Sequence, residues 1–173
     1  MSDVYLSIGG NLGNRLQNLG TCQRYLEKTL SGIDKFSPVY ESEAWGFTHP
    51  ADFYNQILKC YTEMSPQALL QACLEIENDM GRQRNPDKKG NYQGRIIDID
   101  IIFYDDRIIR ERSLQIPHPS LYDRLFVLLP MADIAPDFVD PASKKNIREL
   151  ISECTDQSKI AKTTHPAKLT NYE

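Results

Sequence analysis

The stretch Ile96–Tyr104, IIDIDIIFY, limits the possible folds of this chain more than any other segment. Its β-branched and aromatic content makes it a strand, in which Ile97, Ile99, Ile101 and Phe103 alternate with Asp98, Asp100 and Ile102. One face is therefore apolar and must be covered, while the other presents two carboxylates. Residues two apart on a strand project from the same face, with Cα atoms about 7 Å apart. A carboxylate pair flanked by isoleucines is costly to bury uncompensated, so it either reaches solvent or meets a cation, and magnesium suits such hard oxygen ligands. An isolated Asp-x-Asp would be read as simple alternation on a solvated face, so its neighbours decide the matter.

The rest of the chain supplies a sheet for this strand to join. Val4–Ile8 is β-prone and ends at Gly9-Gly10. Leu12, Leu16, Leu19, Cys22, Tyr25, Leu26 and Leu30 recur at helical spacing, with Asn11 or Asn14 available as cap. Two β-prone stretches follow, at about 33–40 and 53–64, separated by the aromatic-rich loop 43–50. Ser65-Pro66 opens a second helix, whose apolar positions Leu69, Leu70, Cys73, Leu74, Ile76 and Met80 run to Gly81. The order βαββαβ predicts an α+β fold of the ferredoxin-like kind, an antiparallel sheet with both helices on one face, followed by a helical C-terminal part around 120–152. A chain of 173 residues fits one domain, here 1–160, and the weak periodicity of 161–173 predicts a loosely held tail.

Charge is distributed unevenly. The net charge of −4 argues against a general affinity for nucleic acid, yet Arg82–Arg95 carries five basic residues against one acidic, and Arg107, Arg110, Arg112 and Arg124 follow. Arginine forks match phosphate oxygens and magnesium bridges phosphates to carboxylates, so this combination suits a polyphosphate. Neither a P-loop nor a GxGxxG fingerprint is present. His118 sits between two prolines, which would present its ring from a stiff loop. Trp45, Phe47, Phe53, Tyr54 and Phe126 are all compatible with the core, although a flat aromatic substrate would use such rings. The four cysteines lack metal-ligand spacing, and with no spanning apolar run and no signal segment the expected location is the cytoplasm, with no membrane partner.

Five blocks in order, Ile8-Gly9-Gly10-Asn11-Leu12, Phe53-Tyr54-Asn55, Gly81-Arg82-Gln83-Arg84, Arg95-Ile96-Ile97-Asp98-Ile99-Asp100 and Ile116-Pro117-His118-Pro119, resemble the hydroxymethyldihydropterin pyrophosphokinase family over about 3–140. The resemblance implies transfer of diphosphate from Mg-ATP to 6-hydroxymethyl-7,8-dihydropterin, with release of AMP, in folate biosynthesis. It implies that Asp98 and Asp100 hold two magnesium ions, and that Arg82, Arg84 and Arg95 contact the triphosphate beneath a closing loop, 82–95. Arg82 and Arg95 join the two aspartates as catalytic residues in this reading. Glu77, Tyr92, Ile101, Arg110, Arg112, His118 and Arg124 fall on the ATP side. Ser42, Ala44, Trp45, Phe53, Asn55 and Phe126 would line the pterin site, with Phe126 facing Phe53 across the ring. The expected partners are reduced pterin and ATP, with no obligatory protein partner and a monomeric state.

The chain departs from the family where Tyr92-Gln93-Gly94-Arg95 replaces the usual Trp-Gly-Pro-Arg, and where Ser113 and Gln115 replace an arginine and a threonine; Arg110 or Arg112 would then substitute. Two alternatives stay open on the residues alone. One is another magnesium-dependent phosphoryl or nucleotidyl transferase; the other is a ferredoxin-like RNA-binding module, which the acidic charge and paired aspartates disfavour.

Overall fold

The computed structural model describes residues 1–82 and 94–169. Its elements are β1 (Ser2–Gly10), α1 (Arg15–Thr29), β2 (Gly32–Phe36), β3 (Tyr40–Ser42), β4 (Phe53–Thr62), α2 (Pro66–Asp79), β5 (Asp98–Tyr104), β6 (Ile109–Arg110), β7 (Gln115–Ile116), a 3-10 turn (Leu121–Asp123), α3 (Leu125–Ile134), α4 (Ile147–Glu153) and β8 (Ile160–Lys162). The main sheet runs β5-β1-β4-β3-β8, with β2 also on β4, and every pairing is antiparallel. Among the described residues no helix is long and apolar enough to cross a membrane.

Both early helices start where their caps dictate. The Asn14 side chain accepts from Gln17 N–H (3.1 Å), and Ser65 Oγ accepts from Ala68 N–H (3.2 Å) with Pro66 in the first turn. Their apolar faces, Leu19, Cys22 and Leu26 from α1 and Leu69, Cys73 and Ile76 from α2, pack with Val4, Leu6, Ile8, Ile97, Ile99 and Ile101 in one core.

Helices α1 and α2 share one face of the sheet, and the C-terminal pair, to which the sequence assigned no face, lies on the other. Helices α3 and α4 cover the opposite face, where Val127, Leu128, Met131, Ile147 and Leu150 pack on Tyr5, Ile57, Ile102 and Phe103. The expected alternation of β5 breaks. Phe103 sides with Ile102 rather than with Ile101, because the register against β1 slips between Tyr5↔Phe103 and Leu6↔Ile101. This bulge at Ile102 turns two successive apolar residues to the second core, which is what lets α3 dock there.

The single strand expected over 33–40 is two. It divides at Ser37-Pro38, where Ser37 N–H donates to Ile57 O (2.9 Å) while its hydroxyl accepts from Ile57 N–H (2.9 Å), standing in for a carbonyl turned instead to Gln56. The tail differs most from expectation. Far from loosely held, residues 160–169 form a strap. Its β8 segment pairs Ile160–Lys162 with Ser42–Tyr40, Ala167 O accepts from Gln23 and Gln56 side chains (3.0 and 2.6 Å), and Leu169 is fully buried, donating its N–H to Gln23 Oε1 (2.8 Å).

Candidate active site

The two carboxylates stand at the start of β5, opposite Gly9 and Ser7 of β1. Their side chains are 22% and 31% exposed, so neither lies on an open solvated face. Asp98 is bracketed by Arg82, 2.5 Å from Oδ1, and by Arg95 on Oδ2. Arg82 is itself anchored by Glu77, a residue of the last turn of α2 that is 1% exposed and also accepts from Ile99 N–H (2.8 Å). Glu77 thus ties α2, β5 and Arg82 together. Burial would raise the Asp98 carboxyl, but Arg95 and Arg82 outweigh it and hold the group below the ordinary carboxylate range.

Asp100 behaves in the opposite way. Burial and the negative charge of Asp98 push it up to about 7, since Arg124 (3.9 Å) and Arg95 compensate only in part. Beside it, His118 Nδ1 accepts from Ser120 N–H (3.2 Å), which leaves the proton on Nε2, 3.8 Å from Asp100 Oδ1. Burial and then Arg124 lower this imidazole to about 4, so it is a neutral donor at neutral pH.

The Gly9-Gly10-Asn11 exit of β1 sets the position of Arg95. A Cβ on Gly10 would lie 2.2 Å from Ile96 O, and one on Gly9 would lie 2.4 Å from Asn55 Oδ1. Only glycine allows these approaches. Asn11, buried and not a helix cap, accepts from Arg95 N–H at Oδ1 (2.8 Å) and donates its own N–H to Arg95 O (2.9 Å). Its amide also donates to Ala51 O (3.2 Å), fastening the aromatic loop to the same point.

Two clefts meet at Asp100. The first is lined by Ser42, Trp45, Phe53, Asn55 and Phe126 together with Arg95, Asp98, Asp100 and Arg124. Asn55 donates to Ser42 Oγ (2.7 Å), and Phe47 packs edge-on to Phe53 (centroids 6.1 Å apart). The second is lined by Asp100, Ile101, Arg112 and His118, with Ser113, Leu114 and Gln115 between them. The Arg124 guanidinium lines the first cleft beside Asp100 (3.9 Å), 4.7 Å from the Trp45 ring and 5.6 Å from that of Phe126, and its buried Nε has no hydrogen-bond partner.

Most of the expected site is therefore brought together. Ala44 shares the loop of Trp45 but does not line the cleft, and Arg110, exposed on β6, lines neither. Arg84 and Tyr92 lie outside the described residues, as does most of the expected closing loop. Sequence reasoning missed Ser7 and Glu43 in the first cleft, and singled out Gly9 and Phe47 without assigning them to it. It also missed the clasp of Asn11 on Arg95, for which a polar residue directly after two glycines was the available signal. Among the described residues no set of three His, Cys, Asp or Glu side chains could hold a metal alone. The donor set fits magnesium only as two carboxylates, the remaining sites being left to water and phosphate oxygens. The unpartnered Arg124 Nε fits an anionic acceptor equally well.

Comparison with known proteins agrees with this geometry. Residues 5–136 match the family described as 7,8-dihydro-6-hydroxymethylpterin-pyrophosphokinase (HPPK). A relative from Aquifex aeolicus, named 2-amino-4-hydroxy-6-hydroxymethyldihydropteridine pyrophosphokinase, is 38% identical over 155 residues, covering 90% of this chain and 94% of its own length. A Synechocystis protein of the same name is 40% identical over 153 residues, covering 87% and 76%. Plasmodium falciparum HPPK-DHPS, solved with pteroate, superposes with a TM-score of 0.71 at 18% identity, over 88% of this chain and 42% of that one. That last likeness shows the fold alone, since this chain spans less than half of the fused protein. The chain belongs to the 7,8-dihydro-6-hydroxymethylpterin-pyrophosphokinase family.

Proposed function

We propose that the chain catalyses its family's reaction, transferring diphosphate from ATP to the hydroxymethyl group of 6-hydroxymethyl-7,8-dihydropterin and releasing AMP, a step of folate biosynthesis. The observation that carries this reading is the position of Asp100 where an aromatic-walled cleft meets a second, arginine-bearing one, with Asp98 beside it in the first.

The first cleft takes the pterin. Phe53 and Phe126 supply faces for a flat ring, and the Asn55 amide, oriented by Ser42, reads its polar edge. The second takes the nucleotide, with neutral His118 offering a hydrogen-bond donor and Arg112 a positive charge. Two magnesium ions on Asp98 and Asp100 would neutralise charge on the phosphate oxygens. Arg82 and Arg95, which bracket Asp98 in the free protein, exchange that carboxylate for the triphosphate, and Arg124 contributes its unpartnered Nε. The hydroxymethyl oxygen attacks the β-phosphorus in line, and most of the catalysis is positioning and charge stabilisation.

The strand order of the sheet and the placement of α1 and α2 support reading 1–160 as one ferredoxin-like domain with a helical C-terminal part.

The test is to mix the protein with Mg-ATP and the reduced pterin and follow AMP and pterin diphosphate, with Asp98→Ala and Asp100→Ala in parallel. AMP formed by the parent protein alone, and only with pterin present, is expected. ADP or pyrophosphate as the nucleotide product would replace this reading with another phosphate transfer.

A further inference from the structure

Trp45 is the chain's only tryptophan, and it lies in a loop whose other cleft residues, Glu43 and Phe47, contribute a carboxylate and a smaller ring. What distinguishes Trp45 is its partner. Its indole face covers the Arg124 guanidinium at 4.7 Å, with Phe126 beside the same cation at 5.6 Å. Indole has the strongest cation-attracting face of the side chains, and the attraction grows when the pair is withdrawn from water. Arg124 is so withdrawn, its side chain being 15% exposed and its Nε buried. Its other near neighbour, Asp100, is 3.9 Å away, beyond hydrogen-bond range. The aromatic faces therefore do much of the work of orienting this arginine in the free protein.

We infer that Trp45 is a positioning residue for phosphate transfer, acting through Arg124: the indole wall of the pterin cleft holds the guanidinium beside Asp100 with its Nε still unsatisfied. The inference rests on the reaction assigned above and deepens it. A cation aligned by a π-face keeps its N–H groups available, whereas one aligned by a carboxylate would have to break charge-assisted bonds before meeting a phosphate. Because Trp45 also lines the cleft that admits the flat ring, the pterin and the phosphate-binding cation share one wall.

The experiment is a double-mutant cycle on kcat/KM, with Trp45→Leu and Arg124→Met alone and together and Trp45→Phe as the conservative replacement. Removal of a partly buried π-face is expected to lower kcat/KM by about 2- to 10-fold in Trp45→Leu. Trp45→Phe should recover most of it, and Trp45→Leu should cost less than about twofold once Arg124 is Met. Equal losses in both backgrounds would overturn the inference and reduce Trp45 to a cleft-lining side chain. A second readout needs no turnover, since emission of the sole tryptophan reports its own contact. Emission should differ between the parent protein and Arg124→Met, and identical spectra from two equally folded proteins would likewise overturn it. If the parent protein makes no AMP, the assigned reaction fails, and the emission comparison shows separately whether the indole–guanidinium contact exists.

Discussion

Asp98 and Asp100 are two residues apart on one strand face, yet their protons are held very differently, and that difference has a sign that can be measured. Asp100 rises from an ordinary 3.8 to about 7, so between those values the folded protein holds a proton that the unfolded chain has shed. Its contribution to stability is full below about pH 4 and is lost as pH rises through 7. His118 falls from 6.5 to about 4, so over that interval the unfolded chain holds the extra proton and stability grows with pH. In the parent protein the two slopes oppose each other between pH 4 and 6.5. Asp100→Asn removes one of them, and urea unfolding of this variant should show stability rising from pH 4.5 to 6.5 and then level, above the parent at pH 8. Curves parallel to the parent's would show that Asp100 is not the group responsible. At Gly10 the expectation is steric. An alanine Cβ 2.2 Å from Ile96 O meets backbone that cannot rotate away, so Gly10→Ala should cost about 1–3 kcal/mol in denaturant unfolding. It should also lower kcat/KM, because Arg95 is clasped one residue further on.

Helices α1 and α2 were legible in the sequence because their signals are local: a cap, a proline or polar first turn, and a 3.6-residue period that ends at Leu30 or Gly81. The Asp-x-Asp strand was legible for the same reason. What could not be read were features set by partners distant in sequence. The bulge at Ile102 depends on the register of β1, and the division of β2 from β3 depends on Ser37 finding Ile57. The strap was invisible because its order comes from backbone groups meeting Gln23 and Gln56, with one buried leucine as anchor. This gives the strap a measurable weight. Leu169→Ala removes a fully buried side chain from the core under α1 and α2 and should destabilise by about 2–4 kcal/mol in urea. An unaffected midpoint would mean that the segment is held by its edge pairing alone. The site divides along the same line: Asp98, Asp100 and His118 were found from short motifs, whereas Ser7, Glu43 and Phe47 enter the cleft only because β1, β3 and the aromatic loop converge there.

At the scale of the whole molecule, the sheet separates two cores and leaves its remaining edge for chemistry. Cluster packing from α1 and α2 fixes one face of β5, and α3 covers the opposite face only from Ile102 onward, so Asp98 and Asp100 stay open at the near end of the strand. On the proposed reading this site binds a polyphosphate, and a ligand that binds only the native state should stabilise the entire fold. At 100 times its dissociation constant, a ligand binding only the native state adds about 2.7 kcal/mol. For a chain of this size that corresponds to a rise in Tm of roughly 5–11 °C. A non-hydrolysable ATP analogue with magnesium should therefore raise Tm by about that amount at saturation. With a chelator in place of magnesium the shift should shrink to a small fraction, because the triphosphate would then face Asp98 and Asp100 without a cation between them. Asp100→Asn should keep or enlarge the magnesium-independent shift while losing most of the magnesium-dependent part, since it removes a repulsive charge and a ligand together. A shift of equal size with and without magnesium would place the nucleotide away from the carboxylate pair, and with it the junction of the two clefts would lose its role as the site of transfer.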